Sequence, residues 1–310
     1  MKRAIALAAT GALAAGLALV PAGAASAVPV PAQRAEVVTT FADGSIATLS
    51  RHFVDQGALT VRVRDRQRRS TDNGQQITVI RVRRGFNIRQ VQRAINLQLN
   101  QNASPAQAAL STRLINREAV AYGGIDSLSH DNEAISDTIN LDRAGRYWVI
   151  NTANGRAQNL GSFFAGFNTA AEPRNVSAPS ANLIAGFGGI DRFFGANGVL
   201  PRRGTLRVQN LGDTVHVIEI YKVANGTTDA QVQAEFNTIL ANRIPVTDPA
   251  GLNSTPTDLI GVDALSPVHV DKLRYNLRQG GEYLVLCFVA DETTGVPHGF
   301  MGMHKILHFA

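Results

Sequence analysis

The sequence predicts an all-β protein whose mature part consists of two tandem copies of one β-sandwich, each with a short inserted helix. Three observations lead to this fold class. Four sequence blocks recur in the same order, most of each copy consists of short β-rich runs separated by turns, and one segment in each copy has helical spacing. The 310-residue chain is long enough for two such units, and its 45% hydrophobic content is sufficient for packed cores.

The N-terminus predicts export. Lys2 and Arg3 precede an uncharged stretch rich in Ala and Leu, and Ala25-Ser26-Ala27 fits the small-x-small pattern of a signal-peptide cleavage site. We therefore assign residues 1–27 to a signal peptide and expect a secreted, extracellular protein that begins at Val28. The alternative is a membrane anchor, but the apolar run is at the lower limit of the length that spans a bilayer, and no later segment is apolar enough.

The internal repeat consists of four pairs of blocks whose offsets lie between 136 and 141 residues. The pairs are Ile77–Val82 with Val215–Ile220, Val91–Asn100 with Val232–Ala241, Gly124–Ser129 with Gly261–Ser266, and Leu141–Ile150 with Leu277–Leu286. The stretch from Thr169 to Ser180, rich in Ala, Pro and Ser, separates them. We predict a first domain over residues 28–172, called the first repeat, and a second over residues 173–310, called the second repeat.

Within each repeat the pattern is mostly that of strands. The turn Asn210–Asp213 precedes the β-rich run Val215–Ile220, and Tyr283–Phe288 is a continuous apolar run, typical of a strand buried on both faces. The exception is Asp229–Asn242, whose apolar residues recur at helical spacing. Thr228 or Asp229 is the expected N-cap of that helix.

The single cysteine, Cys287, is the residue that most needs an explanation. One cysteine cannot form an internal disulfide, so in an exported protein it is buried, pairs with another molecule or binds a ligand. His216 follows the turn of the second repeat, and His298 and Met303 lie beyond Cys287. One thiolate, two imidazoles and a thioether are the ligands that suit a blue copper centre.

This order of residues resembles the cupredoxin family, in which an early His follows an Asn-containing turn and a Cys, a second His and an axial Met lie in the last loop. The resemblance implies two tandem cupredoxin-like Greek-key β-sandwiches. It also implies that copper is held by His216, Cys287 and His298, with Met303 as the weak axial ligand. The spacing His298-x4-Met303 is similar to that of plastocyanins, and Met301 is the fallback.

The resemblance covers roughly residues 204–309 and, through the repeat, residues 57–152 more faintly. The segment from Cys287 to Met303 is similar to exported bacterial cupredoxin-like proteins of poorly characterised function. The loop Cys287-x10-His298 is longer than in small electron carriers, although copper nitrite reductases also have a long one.

The first repeat departs from the family pattern. The block alignment places Thr78 at the His216 position and Asn151 at the Cys287 position, and residues 151–167 contain neither His nor Met. We therefore expect the first repeat to have the fold without the ligand set.

Two functions follow. The first is a secreted cupredoxin-like protein that binds one copper ion in the second repeat for electron transfer or copper handling, with an unidentified redox or extracellular partner. The alternative is a metal-free extracellular structural or interaction protein. In that case His216 is a hydrogen-bonded histidine at the edge of the core, Cys287 is a buried apolar residue, and the two methionines close the end of the sandwich.

Other function classes have little support. No Ser-His-Asp, H-E-x-x-H or phosphate-loop pattern is present, so no catalytic residue is assigned and an enzyme is the least supported class. Asp291 and Glu292 are expected to be solvated turn residues. The formal charge of +6 is concentrated in the arginines of the first repeat, but no aromatic residues alternate with them, which argues against nucleic-acid binding. His304, His308 and His269 are weaker ligand candidates.

Overall fold

The structure is a computed structural model. Its described residues form two β-sheets and three α-helices. The structure describes residues 36–41, 47–49, 52–65, 75–127, 136–153, 155–166, 179, 181–188, 191–195, 198–241, 248–251 and 259–310. The predicted signal peptide and most of the predicted boundary stretch lie outside these residues. None of the described helices combines the length and apolar character that crossing a membrane requires.

The first repeat contributes nine strands. They are β1 (Glu36–Phe41), β2 (Ala47–Leu49), β3 (Phe53–Asp55), β4 (Gly57–Asp65), β5 (Gln75–Val82), β6 (Ala119–Ser127), β7 (Ser136–Leu141), β8 (Gly145–Asn151) and β9 (Gln158–Gly166). Helices α1 (Ile88–Gln98) and α2 (Pro105–Glu118) lie between β5 and β6.

The second repeat also contributes nine strands. They are β10 (Ala181–Gly188), β11 (Asp191–Gly195), β12 (Val199–Leu200), β13 (Arg203–Asn210), β14 (His216–Lys222), β15 (Leu259–Leu265), β16 (Val270–Asn276), β17 (Gly281–Leu286) and β18 (His304–Phe309). Helix α3 (Asp229–Leu240) lies between β14 and β15, and a single 3₁₀ turn spans His298–Met301.

Both sheets run through both repeats. Sheet A has the order β11-β10-β13-β16-β7-β4-β1-β2, and sheet B has the order β12-β18-β17-β14-β15-β6-β5-β8-β9-β3. When β10–β18 are matched with β1–β9, each half of each sheet has the same order outward from the centre. The halves meet where β16 pairs with β7 and β15 pairs with β6, both antiparallel. The predicted all-β fold class with two tandem copies is therefore confirmed, whereas the exact domain boundaries stay a prediction.

The two sheets of each repeat pack face to face. In the first repeat, Leu59 and Ile139 of sheet A share a buried cluster with Ile77 and Val149 of sheet B. A second cluster joins the inner faces of the second repeat in the same way, with Leu206 of sheet A and Val285 of sheet B. Burial of these apolar side chains supplies the main stabilisation of each sandwich.

One tyrosine hydrogen bond recurs in the two repeats. The Tyr147 hydroxyl donates to the Arg143 carbonyl at 2.6 Å, and the Tyr283 hydroxyl donates to the Gln279 carbonyl at 2.8 Å. Both tyrosine rings are fully buried, so each hydroxyl needs a partner. This contact fixes the start of β8 and of β17, the strand that leads to Cys287.

The helices differ between the repeats. The prediction for Asp229–Asn242 is confirmed by α3, whose N-cap is Thr228 in a capping box with Gln231. The prediction of one helix per repeat is wrong for the first repeat, which has both α1 and α2. The buried face of α2 carries small or polar residues such as Ala109, Ser111 and Thr112, so it lacks the apolar periodicity that identifies a helix.

Strand pairing also settles how the repeats align. Thr78 of β5 pairs with Gly124 of β6, and Glu219 of β14 pairs with the matching Gly261 of β15. Thr78 is therefore equivalent to Glu219.

The prediction that Thr78 occupies the His216 position is consequently wrong. His216 lies three residues before Glu219, and the residue three positions before Thr78 is Gln75. Both segments are rich in β-branched residues, so the sequence fits either register, and only the pairing distinguishes them. Asn151 keeps the predicted position, since it follows Ile150, the partner of Thr78, as Cys287 follows Leu286, the partner of Glu219.

Candidate metal centre

Three side chains of the second repeat converge inside the sandwich. The Nδ1 atoms of His216 and His298 lie 3.1 Å apart, and each lies 3.6 Å from the Cys287 Sγ atom. All three residues are fully buried. They form the one group of three or more His, Cys, Asp or Glu side chains with ligand atoms within 4.8 Å of one another in the described ranges.

His216 is positioned by the turn that precedes it. The Asn210 side chain is fully buried, and its amide donates to the carbonyls of Thr214 and Leu265 at 2.8 Å each. Its Oδ1 accepts from the Gly212 amide at 2.8 Å. A β-bulge between His216 and Ile218 follows. The turn and the bulge together set the direction of the imidazole.

Gly212 lies against the other side of the His216 ring. A Cβ atom at Gly212 would be 2.9 Å from His216 Nε2 and 3.2 Å from the Cα atom of Gly186. The absence of side chains at both glycines lets the Gly212 turn pack closely between β10 and the imidazole. The close approach leaves little room for the ring to change its orientation.

The ten residues between Cys287 and His298 form a closed hairpin. The His298 amide donates to the Val289 carbonyl at 2.8 Å, and the Gly299 amide donates to the Cys287 carbonyl at 2.7 Å. Ala290 and Pro297 form an antiparallel bridge between these bonds and the hairpin tip. Pairing across the hairpin brings the second imidazole back to the thiol in spite of the length of the loop.

Asp291 closes the tip of this hairpin. Its Oδ1 accepts from the Thr294 amide at 2.7 Å and from the Thr294 hydroxyl at 2.8 Å. Asp291 is 8% exposed. The expectation of a solvated turn residue is therefore wrong for Asp291, since a side chain with these local bonds stabilises the loop, whereas Glu292 is partly exposed.

Helix α2 of the first repeat holds both ligand-bearing loops of the second. The Asn116 amide donates to the Thr214 hydroxyl at 2.6 Å and also to the Glu292 carboxylate, and its Oδ1 accepts from the Val215 amide at 3.1 Å. The Thr214 hydroxyl in turn donates to the Glu292 carboxylate at 3.0 Å. Asn116 thus connects the residue before His216 with the Cys287–His298 hairpin.

Two further α2 side chains bind the same hairpin. The Thr112 hydroxyl donates to the Ala290 carbonyl at 2.8 Å in a buried contact, and the Arg113 guanidinium donates to the Glu292 carbonyl. The sequence gives no sign of these contacts, because the residues that they join lie 178 and 179 positions apart in the chain.

The two methionines have different environments. Met303 is fully buried and belongs to the same apolar cluster as Cys287. Met301 is 37% exposed, and its sulfur lies 3.8 Å from the Thr294 hydroxyl on the surface. The burial favours Met303 over Met301 as a fourth ligand, and its coordination stays a prediction.

The weaker histidine candidates lie elsewhere. His304 contacts Gln233 through Nε2 at 2.9 Å and the ring of Phe236 beneath α3. His269 packs edge-on against Tyr122 and lies 2.8 Å from the Pro267 carbonyl. His308 is exposed on β18. None of the three belongs to the group formed by Cys287 and the two site histidines.

Solved structures that are similar to this chain include copper proteins. An auracyanin from Roseiflexus castenholzii is 18% identical with a TM-score of 0.26 over 44% of this chain and 99% of its own. Auracyanin A, a blue copper protein from Chloroflexus aurantiacus, is 16% identical with a TM-score of 0.25 over 42% of this chain and 98% of its own. A copper nitrite reductase from Nitrosomonas europaea is 9% identical with a TM-score of 0.24 over 90% of this chain and 94% of its own.

No protein-family model and no curated protein matches the chain. The likeness to the solved structures concerns the fold alone, so the functional conclusions rest on the chain's own side chains.

The donor set fits a soft or borderline metal ion. Imidazole nitrogens bind such ions at about 2.0 Å and thiolates at about 2.3 Å. Each pair of donors in the site is closer than the sum of the corresponding bond lengths, so one ion can contact all three. One thiolate with two imidazoles suits copper, and it also suits zinc.

Proposed function

We propose that the second repeat binds one copper ion through His216, Cys287 and His298, with Met303 as a weak fourth ligand. The convergence of the cysteine sulfur and both Nδ1 atoms carries this proposal. Bound copper would supply a one-electron couple between Cu(I) and Cu(II), with the thiolate and thioether favouring Cu(I) and the imidazoles serving both states.

The residues of the chain would contribute burial and rigidity. All three converging donors are fully buried, so water is excluded from the position that they surround. The Asn210 bonds, the paired hairpin and the Asn116 contacts hold the donors in one arrangement. A fixed donor set reduces the movement of the ligands when copper changes between Cu(I) and Cu(II). This rigidity favours electron transfer or copper handling over chemistry on a substrate.

The proposed location is outside the cytoplasm, because the N-terminal segment has the pattern of a signal peptide. The partner would be a redox protein or another extracellular component. No residue is proposed as catalytic.

Titration of the purified mature protein with Cu(II) tests the proposal. We expect one copper per chain and an intense visible absorption band, both lost in Cys287→Ser. Met301→Leu is the matched control, because it removes an exposed sulfur and is expected to leave the band unchanged. Titration with Zn(II) in parallel identifies the preferred ion.

The same geometry also suits a metal-free protein, since 3.1 Å is the length of a hydrogen bond between two imidazoles. The extracellular structural or interaction role is therefore the second candidate. Absence of bound copper, with a folded protein by circular dichroism, would favour it.

A further inference from the structure

A cavity of about 170 Å³ lies on the outer face of sheet B, beneath α1 and α2. Most of its wall is apolar, with Val91 and Ile95 from α1, Ile115 from α2, and Val215 and Val217 from β14. Three of the apolar side chains that line the cavity are only partly buried, namely Ile95, Ile115 and Val217. Engineered cavities of about 150 Å³ with apolar walls bind benzene, so this volume admits a compact organic molecule.

One end of the cavity is polar. Glu219 of β14 and Asp263 of β15 line it together with Thr78 and Thr152. Asp263 has local partners, because its carboxylate accepts from the Thr152 hydroxyl at 3.3 Å and from the Ala264 amide at 2.7 Å. No hydrogen bond to the Glu219 carboxyl group is found among the described residues.

Negative charge at this end lacks a compensating cation in the wall. No Lys or Arg is among the described residues that line the cavity. Burial raises the pKa of Glu219 to about 7, and repulsion from Asp263 adds to the shift. Burial also raises the pKa of Asp263, and burial with repulsion from both neighbours raises that of Asp126 on β6. A cation would relieve this cost.

The carboxylates do not resemble a metal site. Within the described part of the chain, only His216, Cys287 and His298 have ligand atoms close enough together for one ion. An acidic end on an apolar cavity instead matches an organic cation, with the charge at Glu219 and the hydrocarbon part against α1 and α2.

We propose that this cavity binds a small primary amine with a compact apolar body, such as an arylalkylamine. The ammonium group would donate to Glu219 and Asp263, and the apolar body would lie between Ile95, Ile115 and Val217. None of the proposed copper ligands lines the cavity, although the lining residues Val215 and Phe288 adjoin His216 and Cys287 in the chain. The proposal stands whether or not the second repeat binds copper.

Isothermal titration calorimetry of the full mature chain with 2-phenylethylamine tests the proposal. We expect saturable binding of one molecule per chain in copper-free and copper-loaded protein. The ammonium group distinguishes this ligand from 2-phenylethanol, which has the same apolar body without the charge. A charge-assisted hydrogen bond changes affinity by about tenfold to a hundredfold, so the alcohol should bind weaker by about that factor.

Three variants sharpen the test. Glu219→Gln should weaken amine binding by about tenfold or more. Val217→Phe should abolish binding by filling the cavity, with circular dichroism to verify folding. Glu282 is a partly exposed glutamate that does not line the cavity. The variant Glu282→Gln should therefore bind the amine as tightly as the parent protein does.

Absence of saturable amine binding would overturn the proposal. So would equal affinity for the amine and the alcohol, or unchanged binding in a folded Val217→Phe variant. If Glu219→Gln does not fold, the comparison of the two ligands and the Val217 variant still decides the outcome.

Discussion

The imidazoles of His216 and His298 face each other through their Nδ1 atoms at 3.1 Å, with ring centroids 4.9 Å apart and an angle of 63° between the rings. Two neutral imidazoles can share one proton at this distance, whereas two imidazolium ions would repel each other in a buried site. A metal ion satisfies both nitrogens at once. The arrangement therefore suits a proton or a metal ion shared between the two nitrogens, with the Cys287 sulfur 3.6 Å from each.

The contact between α2 and the ligand-bearing loops can be tested at Asn116. We expect Asn116→Ala to lower the free energy of unfolding by about 1–3 kcal/mol, because the Val215 amide and Thr214 hydroxyl lose a partner. It should also broaden or shift the copper absorption band, because the His216 turn is no longer fixed to the hairpin. Chemical denaturation and absorption spectra measure the two effects.

Asn237→Ala is the matched control for Asn116→Ala, because Asn237 is exposed on α3 and its Oδ1 accepts only from Gln233 there. A destabilisation of equal size in both variants would contradict the role assigned to Asn116.

The close approach at Gly212 predicts a second effect on the site. In Gly212→Ala the new methyl group would lie 2.9 Å from His216 Nε2, so the imidazole or the turn must move. We expect weaker copper binding and an altered electron paramagnetic resonance spectrum. Gly195→Ala is the control, since its Cβ atom would meet Ile184 at an ordinary 3.7 Å. An unchanged spectrum in Gly212→Ala would show that the ring has more room than the structure indicates.

A buried carboxyl pair at the junction of the repeats predicts an unusual pH dependence. Asp137 of β7 and Asp271 of β16 are both fully buried, and the Gly124 amide donates to the Asp271 carboxylate at 3.1 Å. Burial raises the pKa of Asp137 to about 6, and burial with repulsion from Asp137 raises the pKa of Asp271 further. The folded state therefore holds more protons than the unfolded state from about pH 4 to above pH 6.

The sign follows from this excess of protons. The contribution of the pair to stability is greatest below pH 4 and falls as the pH rises through 6. Asp137→Asn keeps the volume and removes one titrating group, so it should raise the unfolding free energy at pH 8 by about 1–3 kcal/mol relative to the parent and by less at pH 4. Asp55→Asn, at an exposed position, should show no such difference. Equal effects at both pH values would contradict the assignment.

The N-terminal prediction is tested by sequencing the exported protein. Expression of the chain from Met1 should yield a mature chain that begins at Val28. A chain that retains Lys2 and Arg3 in the membrane fraction would instead indicate an anchor.

The site residues could be predicted in part because their order along the chain carries information. His216 and Cys287 lie at the ends of β-rich runs, and His298 lies in the loop that follows Cys287, so a sandwich brings the three together. Burial of Met303 agrees with its predicted position but does not measure its coordination.

Other features depended on three-dimensional pairing. The segments around Thr78 and His216 are both rich in β-branched residues, so the register that equates Thr78 with Glu219 is visible only from the strand partners. Helix α2 was missed because its buried face is Ala, Ser and Thr. The role of Asn116 could not be predicted either, because the long-range contacts of a polar residue leave no periodic pattern in the sequence.

X-ray absorption at the copper edge of the loaded protein tests the central claim most directly. We predict one sulfur and two nitrogen scatterers, at about 2.2–2.3 Å and 2.0 Å respectively, with the sulfur lost in Cys287→Ser. A spectrum with only oxygen and nitrogen scatterers in the parent protein, or one unchanged by Cys287→Ser, would contradict a copper centre built from His216, Cys287 and His298.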